Sequence, residues 1–309
     1  MKINVRLIIR WILILLMVTG LILVGVNQLE NFFSDRDYRE AEEIVFPVEQ
    51  ETETETETET ETESVVAESV PAETETETEE GNPHFAKLQT KDLEALRAVN
   101  PDVVGWIYIP DTHISYPLVQ GTNNQYYLNR TWKKVKNSAG AIFLECQNAA
   151  DFSDFNTIVY GHNRRNKVLF GSLSAYKDYA FWESHPSIYI ANDDGIWQYD
   201  IFAVEEAGVK TIIYGLNIEK EEIKEEYIRF SMKNSVIDTG IVPETTDKFL
   251  TLSTCTDYGY STRWVVQAVL NREASLPAVT EGEVPEEEET AEETTEETTE
   301  EAAETKSAQ

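Results

Sequence analysis

A mainly β fold, a closed or nearly closed barrel with helical insertions, is what this sequence predicts. Two observations carry the prediction. Eight short runs rich in β-branched and aromatic residues fall between residues 103 and 270, and only a few helical patterns interrupt them. A third observation bounds the folded region. The net charge is −32 over 309 residues, but residues 30–80 carry −18 of it and residues 281–309 carry −12. With +3 from Lys2, Arg6 and Arg10, residues 81–280 keep only −5, the balance of an ordinary globular domain. Such a charge excludes nucleic acid as a partner, because phosphate neutralisation needs clustered Lys and Arg.

The N-terminus is basic over residues 1–6 and then apolar from Leu7 to Val26, broken only by Arg10. Twenty residues at 1.5 Å each span about 30 Å, the thickness of a bilayer's hydrocarbon core. Arg10 lies near the start of the run, where its stem can reach the headgroups. Basic residues before the run and acidic ones after it orient the N-terminus to the cytoplasm. A cleaved signal peptide would begin in the same way, but no Ala-x-Ala-like site closes the run. Either reading puts everything after Val26 outside the cytoplasm, so the expectation is a single-pass anchor over 7–26 and an extracellular domain.

Residues 27–85 read as a disordered acidic stalk. Glu and Thr alternate from Glu51 to Glu63 and again from Glu73, and this alternation provides no apolar face for a strand to bury. The domain is expected over 86–272, followed by a second disordered acidic tail over 273–309. Within the domain, Thr90 caps a helix from Lys91 to Val99 with Leu93, Leu96 and Val99 on one face, and Asn100-Pro101 stops it. Strands follow at Val103–Ile109, Ile114–Val119, Ala141–Leu144, Thr157–Tyr160, Ser187–Ile190, Trp197–Val204, Phe249–Ser253 and Trp264–Leu270. Helical patterns intervene at Asn124–Asn129, Leu169–Tyr176 and Ile218–Met232.

Two cysteines are too few for a disulfide framework. Outside the cell, one Cys146–Cys255 bridge competes with a lone reactive thiol. Cys255 ends the Phe249–Thr254 run and precedes the turn-like Thr256-Asp257-Tyr258-Gly259, which places it at a sheet rim where a thiol can meet substrate. A nucleophilic thiol needs a partner that stabilises the thiolate and later protonates the leaving group. Of four histidines, His84 lies at the stalk boundary and reads as solvated. His113 sits in a turn, and His185 before Pro186 caps or packs. His162 follows Tyr160-Gly161 at another strand end. Arg263 opens the last strand across a loop from the thiol, where a permanent cation could hold a developing oxyanion. The histidines show no metal-ligand spacing, so no metal and no cofactor is expected.

Thr251-Leu252-Ser253-Thr254-Cys255 together with Arg263-Trp264-Val265-Val266 resembles the active-site signature of the sortases, membrane-anchored cysteine transpeptidases of Gram-positive bacteria. Asn100–Ile107, Tyr116–Gln120, Asn124–Leu128 and Thr157–Asn163 resemble the flanking motifs of class B in particular. The resemblance covers roughly Leu88 to Leu270. It implies an eight-stranded sortase β-barrel with an N-terminal helix and a long helix between the sixth and seventh strands, which Ile218–Met232 fits.

The implied chemistry is attack by Cys255 on the peptide bond after Thr in a C-terminal sorting signal, with protonation of the leaving amine by His162. The acyl-thioester then passes to an amine of a peptidoglycan precursor or a pilin. Arg263 steadies the oxyanion, and Asn124, Leu128 and Ser253 line the signal groove. The eight-residue step from Cys255 to Arg263 is shorter than in some class B relatives. A plain cysteine endopeptidase using the same pair, and a non-catalytic surface protein, are the competing readings.

Overall fold

The computed structural model describes residues 5–47, 82–164, 166–256 and 259–278. Eight strands form: β1 Val103–Tyr108, β2 Ser115–Val119, β3 Ile142–Leu144, β4 Asn156–Tyr160, β5 Ser187–Asn192, β6 Gly195–Gly208, β7 Phe249–Thr256 and β8 Gly259–Pro277. They close into a barrel in the order β1-β2-β3-β4-β7-β8-β6-β5. Two neighbouring pairs, β2 with β3 and β4 with β7, are parallel, and the rest are antiparallel. Each parallel pair requires a long crossover. The β4-to-β7 crossover includes β5, β6 and the helix α5, Glu221–Asn234.

Alternation along the strands separates two apolar layers. Trp264, Val266 and Ala268 of β8 face the barrel interior with Trp106, Leu118, Ile142 and Leu252. Val265 faces outward, where Phe155, Ala203, Tyr227 and Phe249 cover it. α5 carries Glu221 and Glu222 in its first turn, favourable to the helix dipole, and buries Tyr227, Ile228 and Ser231. The Tyr227 hydroxyl holds this lid to the wall. It receives a hydrogen bond from Gln267 Nε2 at 2.8 Å and lies 3.0 Å from Thr251 Oγ1.

Every expected strand forms, and the misplacements have local causes. The helix expected from Lys91 is α3, Leu93–Val99, capped by Asp92, whose Oδ1 accepts from the Ala95 amide at 2.9 Å. Thr90 instead ends a helix not anticipated, α2 (Pro83–Gln89). Leu93 and Leu96 are buried, but Val99 is 47 % exposed because the helix ends there. The patterns at Asn124–Asn129 and Leu169–Tyr176 form only 3-10 turns, Tyr126–Asn129 and Phe170–Lys177. β8 pairs with β6 as far as Gly195–Pro277, past the expected end of the domain at 272.

The largest departure concerns the expected stalk. The N-terminal helix α1 does not end at Val26 but runs unbroken from Val5 to Val45. Its residues from Arg10 to Val26 are uncovered and apolar enough to cross a membrane. Beyond them Tyr38, Ala41 and Val45 enter the barrel's core cluster, and Phe46 packs edge-on against Trp106. The second half of α1 is therefore helix seated on the domain, because its apolar positions meet a complementary surface on β2 and α3. The Glu/Thr run over 51–80 and the tail beyond 278 lie outside the described residues.

Candidate active site

Register brings the chemistry together. The parallel pair β4/β7 aligns Tyr160 with Ser253. Two residues further along each strand stand His162 and Cys255. The Gly161 amide donates to the Ser253 carbonyl at 3.1 Å, and Asn163 Nδ2 donates to the Cys255 carbonyl at 2.9 Å, which extends the alignment past the end of β4. On the other side the antiparallel pair β7/β8 places Cys255 opposite Arg263. The three residues thus occupy one row across adjacent strands, spaced about 4.8 Å from strand to strand. All three are half-buried and line one cavity of about 240 Å³ with Asn124, Leu128, Phe143, Tyr160 and Ser253.

His162 is held by its Nε2, 2.7 Å from the Leu128 carbonyl. A carbonyl only accepts, so Nε2 carries the proton and Nδ1 is the nitrogen whose protonation changes. Gly140 makes this approach feasible. Its φ is +67°, and a Cβ there would lie 2.6 Å from His162 Cδ2. Cys255 and Cys146 are both free thiols, so the bridge between them does not form. The other histidines stand apart from the cavity. His185 ends the short helix α4 (Tyr179–Ser184) and stacks on Phe181, as capping or packing requires. His84 is not solvated but packs among Tyr108 and Tyr189.

Of the residues expected in the groove, Leu128 is 43 % exposed and Ser253 is buried, its hydroxyl 2.8 Å from that of Tyr214. Burial pushes the Tyr214 phenol up to about 12, so it stays a neutral hydroxyl. Asn124 is locked from two sides. Its Oδ1 accepts from the Cys146 amide at 2.9 Å, and its Nδ2 donates to Glu145. One amide hydrogen remains for a ligand.

Glu145 was not anticipated. It ends the buried Ile142-Phe143-Leu144 strand, is itself 3 % exposed, and also accepts from the Tyr160 hydroxyl at 3.0 Å. An acidic residue closing an otherwise apolar strand was the available signal. Cys146, next to it, is a packed thiol that burial and Glu145 hold above the usual thiol range. Among the described residues no group of His, Cys, Asp and Glu could hold a metal ion.

Comparison with known proteins matches this architecture. The family model for the sortase domain matches residues 107–271. Sortase B of Listeria monocytogenes is 36 % identical over 183 residues, covering 58 % of this chain and 74 % of that protein. A Staphylococcus aureus sortase B–substrate complex superposes with a TM-score of 0.55 at 30 % identity, covering 62 % of this chain and 87 % of the other. A sortase B complexed with triglycine superposes at 0.56, also at 30 % identity, covering 58 % and 85 %.

Proposed function

Since the chain belongs to the sortase family and to its class B, a group of cysteine transpeptidases, we propose that Cys255, His162 and Arg263 transfer proteins bearing a C-terminal sorting signal to an amine. The observation that supports these roles is the single row they form across β4, β7 and β8, at the mouth of one cavity.

These positions support the following reaction. Cys255 Sγ attacks the carbonyl carbon of the signal's Thr, forming a C–S bond and placing negative charge on the carbonyl oxygen. Arg263, opposite Cys255 on β8, stabilises that oxyanion in a half-buried setting where its charge is poorly screened. Collapse breaks the C–N bond, and the proton on His162 Nδ1 goes to the departing amine. The Leu128 carbonyl, accepting from Nε2, holds the ring so that Nδ1 is the nitrogen that gives and takes the proton. An incoming amine then attacks the thioester and loses its proton to His162, and Sγ leaves as thiolate. Asn124, Leu128 and Ser253 form the signal groove, with Asn124 offering its remaining N–H to a peptide carbonyl.

The acceptor is an amine of a peptidoglycan precursor or a pilin, and sortase B complexes with a substrate and with triglycine support a donor–acceptor pair of this kind. The uncovered apolar segment Arg10–Val26 supports a single-pass anchor with the N-terminus in the cytoplasm and the domain outside. An unbroken helix through Val26 favours a retained anchor over a cleaved leader.

The test is a panel of Leu-Pro-, Asn-Pro- and Ser-Pro-type signal peptides, each with and without an added amine. The wild-type chain should cleave at least one after Thr, and Cys255→Ala none. Amine should divert the product from acid to amide. Cleavage that stays hydrolytic at saturating amine would make the protein an endopeptidase, and equal cleavage by the variant would remove Cys255 from the chemistry.

A further inference from the structure

We propose that the barrel rests directly on the outer membrane surface, with its basic hairpin Arg130–Lys136 against anionic phospholipid headgroups, and that it is not held away on an acidic tether. This rests on reading α1 as the anchor.

Because α1 is continuous from Val5 to Val45, height above the membrane can be counted along it at about 1.5 Å per residue. Glu30 stands four residues past Val26, about 6 Å, within the thickness of a headgroup layer. The barrel already touches it there. The Glu30 carbonyl accepts from Asn137 Nδ2 at 2.9 Å, and its carboxyl accepts from Ser138. One turn on, Ser34 is 2 % exposed, and the Asp37 carbonyl accepts from Trp132 Nε1 at 2.9 Å.

The segment that lies beside this stretch of helix is the most basic on the domain. Arg130, Lys133, Lys134 and Lys136 fall within seven residues that contain no acidic one. Lys133 bridges to Glu40 at 2.6 Å and Lys134 to Asp102 at 3.0 Å, so these two fasten the hairpin in place. Val135 and Lys136, on its returning arm, are exposed. An apolar residue beside a lysine suits a headgroup boundary. On the helix, Leu29, Phe32 and Phe33 are exposed three to seven residues past Val26 and extend the apolar surface into the interfacial layer, where aromatic rings are favoured.

The acidic segment cannot separate barrel from anchor, because both of its flanks are seated on the barrel. Phe46 packs on Trp106 before it. Asn82 bonds Tyr189 after it, and Lys87 reaches back to Glu42 at 3.1 Å. The consequence for the site is a fixed working height. Tyr38 OH donates to the Gly140 carbonyl at 2.8 Å, and Gly140 is the residue pressed beneath His162. The wall that holds the histidine is thus fastened to α1 about 18 Å along the helix from Val26.

The full chain in lipid nanodiscs, carrying a photo-crosslinking residue at Leu23, Val135 or Glu43, tests this. Leu23 reports the anchor, and Glu43, exposed on α1 and about 25 Å beyond Val26, sets the background. With phosphatidylglycerol present, position 135 should form lipid adducts at about five times the Glu43 level or more. That yield should fall severalfold in pure phosphatidylcholine or with Lys136→Gln, and deletion of residues 50–80 should leave it unchanged. Adducts at 23 with only background at 135 would overturn the docking and leave the anchor standing. Absence of adducts at 23 would overturn the anchor reading itself. Equal yield at 135 in both lipids would overturn the role of headgroup charge.

Discussion

Glu145 and Glu205 are both buried in the barrel wall, at 3 % and 0 % exposure, yet their surroundings are opposite. Glu145 follows β3 beside Asn124 and is met by Asn124 Nδ2, the Tyr160 hydroxyl and the Cys146 thiol. Glu205 lies mid-β6, opposite Val265 of β8 and between Ala203 and Ala207, on the outward face, and neither of its oxygens finds a donor among the described residues. Burial alone pushes its carboxyl up to about 8. The difference teaches that a buried carboxyl is defined by the donors around it. One with donors orients them, and here that fixes which hydrogen Asn124 turns toward the cavity. One without donors keeps its proton and acts only through its own cost.

Removing Glu145 should have the largest effect, because it strands two partners. Glu145→Ala leaves part-buried donors on Asn124 and Tyr160 unpaired, at no more than about 1–3 kcal/mol each. Urea unfolding should show a loss of that order. The KM for a signal peptide should rise about tenfold or more, with kcat much less affected, since the groove loses its orientation and the Cys255 row does not. Glu145→Gln, which keeps one acceptor oxygen, should fall between. A variant with normal KM would remove the link between this carboxyl and the groove.

Glu205 supplies the opposite sign. Its folded pKa lies above the ordinary carboxyl value of 4.5, so between pH 4.5 and about 8 the folded protein holds a proton that the unfolded chain has lost. Stability therefore declines as pH rises through that window, by at most about 1.4 kcal/mol per pH unit, and the penalty is complete above the folded pKa. Glu205→Gln abolishes this contribution. Calorimetry at pH 5, 6.5 and 8 should show the variant gaining on the wild type at each step. A constant difference across the three would mean that Glu205 does not titrate as its surroundings require.

Cys146 should contribute least. Cys146→Ser keeps the backbone amide that holds Asn124 and should change stability by no more than about 0.5 kcal/mol. Its thiol is held above the usual range, so alkylation near pH 7 should fall on Cys255, read by mass spectrometry. Dominant labelling of Cys146 would reverse the assignment of the two thiols.

Much of the barrel was legible because runs of β-branched and aromatic residues mark strands locally. Val103–Tyr108 and Asn156–Tyr160 differ from their expected bounds by single residues. The site was legible where chemistry confines residue choice: a cysteine, a histidine and an arginine at strand ends. Glu145 and the Tyr214–Ser253 contact were not, because their partners lie 15 to 39 residues away in the chain. Nor was the seating of Tyr38 and Val45, which looks like polar helix until the surface it meets is known.

By itself the sequence determined which segments are rich in strand-forming residues, where the charge lies, and that one thiol and one histidine stand at strand ends. These are local properties of side chains along a backbone of known period. Only the tertiary structure decided that Tyr160 aligns with Ser253 and Cys255 with Arg263, since register is set by packing of whole strands against a shared core. It also decided that the helix entering at Val5 ends inside that core at Val45. A helix's periodicity tells which face is apolar, but the burial of that face depends on a surface built from residues far along the chain.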